Sequence, residues 1–135
     1  MSKPRNLDEA IFSLKNEIPH DILAEIQKMH EDETYTLHNS LGRWLRNEWA
    51  LWDNGPLVKW FHEAGIGHPD DMSGIILTSL WCDMHNVDRR LAQQVACYRQ
   101  YWADVSESVR KDGKVTLQVG EQVVQFAFNG TYAKE

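Results

Sequence analysis

Cysteine is scarce in this 135-residue chain, and no long hydrophobic run occurs in it. The two cysteines, Cys82 and Cys97, lie outside any Cys-x-x-Cys pattern, which disfavours a disulfide framework or a cysteine metal site. We expect two reduced thiols in a cytoplasmic protein, with Cys97 buried between Val95 and Tyr98. No apolar stretch reaches the roughly 20 residues that cross a membrane, and Met1 opens no hydrophobic signal segment. The sequence therefore predicts no membrane association.

Positive charge is also in deficit. The chain carries 14 Lys and Arg against 20 Asp and Glu, which gives a formal net charge of −6. No stretch has the dense basic run that binding to a phosphate backbone requires. The acidic residues are too scattered to mimic such a backbone. Nucleic acid is therefore disfavoured as a partner.

The sequence lacks the signatures of common catalytic sites. It contains no Gly-x-Ser-x-Gly, no phosphate-binding Gly-x-x-x-x-Gly-Lys and no dinucleotide-binding Gly-x-Gly-x-x-Gly. It also contains no His-x-x-x-His pair, which would place two metal ligands on one helix face. We therefore predict no catalytic residue, no cofactor and no metal ion.

Helical periodicity dominates residues 6–111 of the chain. Asn6, with Glu9 three residues later, predicts a capping box at the start of the first helix. Apolar residues then recur every three or four positions, which predicts amphipathic helices around a tryptophan-rich core. Asp88 is expected to cap the last helix. The predicted helices cover about 6–18, 19–29, 31–52, 56–64, 69–84 and 88–112.

The period changes to two near the end of the chain. Alternating apolar residues on both sides of Gly120-Glu121 predict a β-hairpin over about 114–128, with a type II′ turn. In this register Leu117 faces Val124, so the apolar side chains share one side of the hairpin. A tail covers 129–135. The predicted fold is mainly α: one compact bundle of about six helices with a C-terminal hairpin, forming a single domain over 1–135.

One cluster of histidines and acids could carry chemistry. Imidazole and carboxylate groups suit zinc, manganese or iron, so His68, Asp70 and Asp71 could centre a metal-dependent or acid/base enzyme. His62 or His85 would have to complete that site. The favoured interpretation is structural, because a histidine, a proline and two acids are typical of a helix start.

A second cluster surrounds two arginines. Arg43 and Arg46 lie one helical turn apart among tryptophans, and this arrangement could bind an anion or a small ligand as a sensor. In the favoured alternative, Arg46 or Arg43 pairs internally with Asp70 or Asp71 and joins two helices. The candidate residues near these arginines are Asn47, Trp49 and Trp52.

Two motifs carry a family resemblance. Residues 41–52 have the form L-G-x-W-x-R-N-x-W-x-L-W, and residues 68–73 read H-P-D-D-M-S. Together they resemble a small bacterial domain family of unknown function, over about residues 35–103. The resemblance implies no assigned activity, so it assigns no functional residue. The hairpin lies outside the resemblance.

These observations favour a non-catalytic protein that binds another protein. An inhibitor, adaptor or accessory factor of bacterial or phage origin fits, and so does an antagonist of a host defence system. The partner is either an unidentified protein or a second copy of the chain, which would make a homodimer. The regular last helix and the hairpin supply the predicted contact surface, with Arg89, Arg90, Arg99, Val115, Leu117, Val124 and Phe126.

Overall fold

The protein is mainly helical, as the sequence predicts. A computed structural model describes the backbone of residues 3–112, 114–119 and 122–127, and the side chains of residues 3–107. The chain divides into two compact units, Met1–Val95 and Ala96–Glu135. The single domain over 1–135 stays a prediction. The α-helices are α1 (Leu7–Glu17), α2 (His20–Lys28), α3 (Arg43–Glu48), α4 (Pro56–Ala64), α5 (Pro69–Met84) and α6 (Leu91–Asp112).

Helix α1 begins as the sequence predicts. The side-chain oxygen of Asn6 accepts a hydrogen bond from the backbone N–H of Glu9 at 2.9 Å. The reciprocal half of the capping box does not form, because the Glu9 carboxylate accepts instead from the backbone and guanidinium of Arg5. The apolar face of α1 is buried through Leu7, Ala10, Ile11 and Leu14.

Helix α5 is the central element of the first unit. His68 caps its N-terminus and Pro69 occupies its first turn, where the missing N–H costs nothing. The helix contacts α1, α2, α3 and the segment between α2 and α3. Contact on several sides explains why its apolar residues are not confined to one stripe. The buried apolar residues include Met72, Ile75, Ile76, Leu77 and Leu80.

The prediction of one continuous helix over 31–52 is wrong. A 3₁₀ helix covers Glu31–Leu37, a π-helical turn covers His38–Gly42, and only Arg43–Glu48 is α-helical. Within the distorted region, the carbonyl oxygen of His38 accepts a hydrogen bond from Nη2 of Arg46 at 3.0 Å. The apolar periodicity cannot report such a side-chain bond, because it records burial and not the partners of buried polar groups.

The tryptophan-rich core is also a wrong prediction. Of the six tryptophans, only Trp49 is buried, whereas Trp44 is 41% exposed and the other four are half-buried. An indole carries a polar N–H, and partial burial lets it cover apolar surface while that group finds a partner. Trp81 shows this, since its Nε1 donates to the carbonyl of Met29 at 2.8 Å. The core is instead mainly aliphatic, and Phe61 is the largest apolar side chain among those that are fully buried.

The start of α6 differs from its prediction. Asp88 accepts a hydrogen bond from the backbone N–H of Arg90 at 2.8 Å, so it closes the turn before the helix, and α6 begins at Leu91. Cys97, which was expected to be buried, is exposed, whereas Cys82 is buried. Burial raises the pKa of the Cys82 thiol. Among the described residues, no helix is long and apolar enough to cross a membrane.

Two antiparallel strands follow α6, β1 (Lys114–Val119) and β2 (Gln122–Ala127). In the backbone register Val115 lies opposite Phe126 and Leu117 opposite Val124. The predicted turn at 120–121 and the tail at 129–135 lie outside the described residues.

Candidate functional site

Arg46 is the only charged residue among the fully buried large side chains of the described part of the chain. Its guanidinium donates from Nη1 to the hydroxyl of Ser73 at 2.8 Å and from Nη2 to the carbonyl of His38 at 3.0 Å. Nη1 also lies 3.4 Å from Nδ1 of His38. These contacts join α3 to α5 and to the π-helical turn, so one side chain connects three elements of the first unit.

Asp70 supplies a countercharge to this buried guanidinium. Its Oδ1 lies 3.5 Å from Nε of Arg46, and its side chain is 35% exposed. The Ser73 hydroxyl that accepts from Arg46 donates in turn to the backbone carbonyl of Asp70 at 2.9 Å. The arrangement matches the internal pairing that the sequence analysis favoured. Removal of Asp70 would leave the buried guanidinium without this countercharge, which is unfavourable.

Gly42 makes room for Arg46. A Cβ on residue 42 would lie 2.9 Å from Nη1 of Arg46 and 3.2 Å from the carbonyl oxygen of Leu37. The first distance is too short for a real carbon contact. The glycine of the L-G-x-W-x-R motif is therefore explained by close packing on the arginine that follows it one turn later.

His68 acts as a helix cap. Its Nδ1 accepts a hydrogen bond from the backbone N–H of Asp70 at 3.0 Å, which leaves the ring proton on Nε2 in the neutral form. The edge of the ring meets Trp52, with ring centroids 5.7 Å apart. Because Nδ1 is occupied by the helix start, His68 has a structural role in this geometry. Asp71, the next candidate of the motif, is buried in the first turn of α5.

The structure separates the other arginine-cluster candidates from Arg46. Arg43 and Asn47 lie on α3 with exposed side chains, whereas Trp49 is buried just after that helix. Trp44 tilts against Trp49 with ring centroids 6.4 Å apart. The candidates thus do not converge on one open site.

The histidines proposed to complete a metal site lie apart from His68. His85 ends α5 and His68 begins it, so the two stand at opposite ends of a helix of 16 residues, about 24 Å long. The ring nitrogens of His85 lie 2.8 Å from the carbonyl oxygens of Trp81 and Gln27, which fastens α2 to α5. His62 is exposed on α4. Within the described residues, no three His, Cys, Asp or Glu side chains are placed to hold a metal ion.

Two of the residues that were predicted to contact a partner form ion pairs within the first unit. Arg89 forms ion pairs with Asp83 at 2.7 Å and with Asp8 at 2.6 Å. Hydrogen bonding from Arg89 lowers the pKa of the Asp83 carboxyl. Arg90 pairs with Glu31, and its hydrogen bonds lower the pKa of that carboxyl too. Both arginines therefore fasten the chain before α6 to earlier elements.

The remaining predicted contact residues lie in the second unit. Arg99 is exposed on α6. The side chains of the four hairpin candidates lie outside the described part of the chain, so their role in an interface stays a prediction.

The first unit contains an apolar groove that the sequence did not predict. It lies between α2 on one side and the π-helical turn with α3 on the other, and its volume is about 560 Å³. Ile22 is 40% exposed and Trp44 is 41% exposed, although both are large apolar residues. The sequence feature that could have indicated the groove is the apolar stripe of α2, which was interpreted as a face packed in the core. The apolar lining includes Ile18, Ile22, Ile26, Met29, Leu41 and Trp44.

The charge on this groove has one sign. Its charged lining residues are Glu17, at the end of α1, and Glu25, on α2. Both side chains are exposed, and neither lysine nor arginine lines the groove among the described residues. The groove therefore combines an apolar interior with negative charge.

Comparison with known protein families gives a match over the first unit. A family model described as a domain of unknown function, DUF6794, matches residues 3–84. The matched range begins earlier than the predicted resemblance over 35–103 and ends before α6, and it includes both sequence motifs and the groove. No curated protein and no solved structure matches the chain.

Proposed function

We propose that this chain, which belongs to the DUF6794 family of domains of unknown function, is a non-catalytic protein-interaction domain. The observation that carries the proposal is the open apolar groove with Ile22 and Trp44 at its surface. An apolar pocket of several hundred Å³ that is open to water is typical of a binding site, because a partner that covers its lining removes apolar surface from water. The groove also lies within the residues that match the family.

The geometry of the polar cluster supports the same proposal. Arg46 is fully buried and bonded to Ser73 and His38, so an anion could not reach it without opening the fold. His68 caps α5 through Nδ1, and Nε2 carries the ring proton in the neutral form, so neither ring nitrogen offers a lone pair to a metal ion or a proton. The anion sensor and the acid/base or metal enzyme each depend on one side chain, Arg46 or His68, that already bonds within the fold.

Within this class we propose an inhibitor, adaptor or accessory factor of bacterial or phage origin that acts in the cytoplasm. An antagonist of a host defence system belongs to this class. The acidic net charge and the lack of catalytic motifs in the sequence support it. We also propose a second contact surface, formed by the last helix and the predicted hairpin. It would bind the partner or a second copy of the chain.

The test is capture followed by reconstitution. The full chain is used to capture proteins from its native host, and each candidate is purified and titrated against the chain by calorimetry. We expect one protein that binds with defined stoichiometry. If no purified candidate binds, or if the chain turns over a small molecule in a way that His68→Ala abolishes, the proposal is wrong.

A further inference from the structure

We infer that the groove between α2 and α3 binds an amphipathic helix of the partner protein, with basic residues beside its apolar face. This inference rests on the proposed function and specifies its partner. Three features carry it: the dimensions of the groove, the secondary structure of its walls and the sign of its charge.

The dimensions suit a short helical segment. Helix α2 has nine residues, so the wall it forms is about 13 Å long. Apolar anchors at positions i, i+3 or i+4, and i+7 of a helix span about 10 Å, which fits within this length. Ile22 on α2 and Trp44 on α3 are exposed residues of the lining, whereas Ile26 on α2 is a buried one. A helix seated here would cover both exposed side chains.

The walls favour a helix over an extended peptide. Strand addition needs an open sheet edge whose backbone N–H and carbonyl groups are available. The groove is lined by α1, α2, the 31–42 segment and α3 or the residues that join them. In helical segments most backbone polar groups bond within the segment, so recognition here depends on side-chain packing.

The charge selects among amphipathic helices. Glu17 and Glu25 place two negative charges at the groove without a basic lining residue among those described. Lysine or arginine flanking the apolar anchors of the partner would be attracted, and glutamate or aspartate there would be repelled. A partner helix with a basic flank is therefore preferred to an acidic or neutral one.

The experiment selects peptides on the intact chain. A displayed library of about 16-residue peptides, long enough for four helical turns, is selected on the wild-type protein. Peptides that also bind the Ile22→Glu/Trp44→Glu double variant are removed. We expect enrichment of apolar residues at i, i+3 or i+4 and i+7, accompanied by lysine or arginine.

The affinity of a selected peptide is then measured against further variants. Trp44→Glu alone should weaken binding by about 30-fold or more, as loss of a central aromatic anchor does. Glu17→Lys combined with Glu25→Lys should weaken it by about tenfold, and both residues are exposed, so the fold should tolerate the change. Phe12→Glu and Tyr35→Glu are the matched controls, because both side chains are exposed outside the groove lining. Circular dichroism verifies that every variant is folded.

Several results would overturn the inference. The first is that the selected peptides are acidic or lack the helical spacing of apolar residues. The second is that the Trp44 and glutamate variants bind the selected peptide as tightly as wild type. The third is that the selection yields no peptide whose binding depends on the groove. If the wild-type chain forms a dimer and Trp44→Glu dissociates it, the groove binds a second copy of the chain and not a partner helix. If a purified partner protein binds all groove variants as tightly as wild type, the inference fails while the proposed function stands. If no partner protein binds, the proposed function fails.

Discussion

Gly42 and Arg46 form one structural unit, since a Cβ on residue 42 would stand 2.9 Å from Nη1 of Arg46. The two residues lie one turn apart, at the junction of the π-helical turn and α3. The buried guanidinium packs against the glycine backbone and bonds to Ser73 on α5. Glycine usually destabilises a helix, but at position 42 its missing side chain leaves room for the buried guanidinium of Arg46.

Gly42→Ala is expected to destabilise the protein by about 1 to 2 kcal/mol, because forced displacement in a packed interior outweighs the better helix propensity of alanine. Urea denaturation followed by circular dichroism measures the free energy of unfolding. Gly67→Ala is the matched control, since no atom lies within 4 Å of a Cβ at that position. The control should change stability by about 0.5 kcal/mol or less. Equal stability of both variants would contradict the explanation.

Arg46→Met is expected to lower the free energy of unfolding by about 3 to 5 kcal/mol, because it leaves polar partners buried without their guanidinium. Arg43→Met removes the same side chain from the exposed face of α3 and should cost about 0.5 kcal/mol or less. Thermal and chemical denaturation of both variants provide the comparison.

A double-mutant cycle with Asp70→Asn measures the coupling of the pair. The two single effects should not add, since both changes remove the same interaction between Arg46 and Asp70. Additive effects would show that the 3.5 Å contact contributes nothing to stability.

Ala50→Gly is expected to stabilise the protein by about 1 kcal/mol. Ala50 has φ of 49°, in the left-handed region, and the N–H of Leu51 bonds to the carbonyl of Arg46 at 3.0 Å. This is the geometry of a helix C-terminus that glycine adopts without steric cost. Ala24→Gly, on the exposed face of α2, should instead destabilise by about 0.5 to 1 kcal/mol. Loss of stability in Ala50→Gly would contradict the prediction.

Stability should fall in acid partly through Asp83. Arg89 lowers the pKa of this carboxyl in the folded state, so the pairing contributes stability above the unfolded pKa. That contribution is lost as the pH falls through the lower, folded pKa. Asp83→Asn should therefore be less stable than wild type near neutral pH, and the difference should shrink in acid. Denaturation curves between pH 3 and 7 test this, with Asp32→Asn as the exposed control. A difference that does not change with pH would contradict it.

The helix boundaries show which features of the fold could be predicted from the sequence. Asn6, Pro56 and Pro69 mark the starts of α1, α4 and α5, and in each case the reason is local: a side-chain cap or a proline in the first turn. Prediction failed over 31–52, where the apolar pattern continues but the backbone changes form twice. The carbonyl of His38 bonds there to a side chain from a later turn, and no local pattern records that bond.

The candidate site, like the fold, could be predicted only in part from the sequence. The sequence by itself determined which residues could pair, since an arginine among apolar positions needs a countercharge and the acids of the helix start could supply one. Only the tertiary structure decided that Arg46 is inside while Arg43 is outside, and that the α2 stripe borders an open groove. Periodicity identifies the apolar face of a helix, whereas the packing of neighbouring helices decides how much of that face is covered.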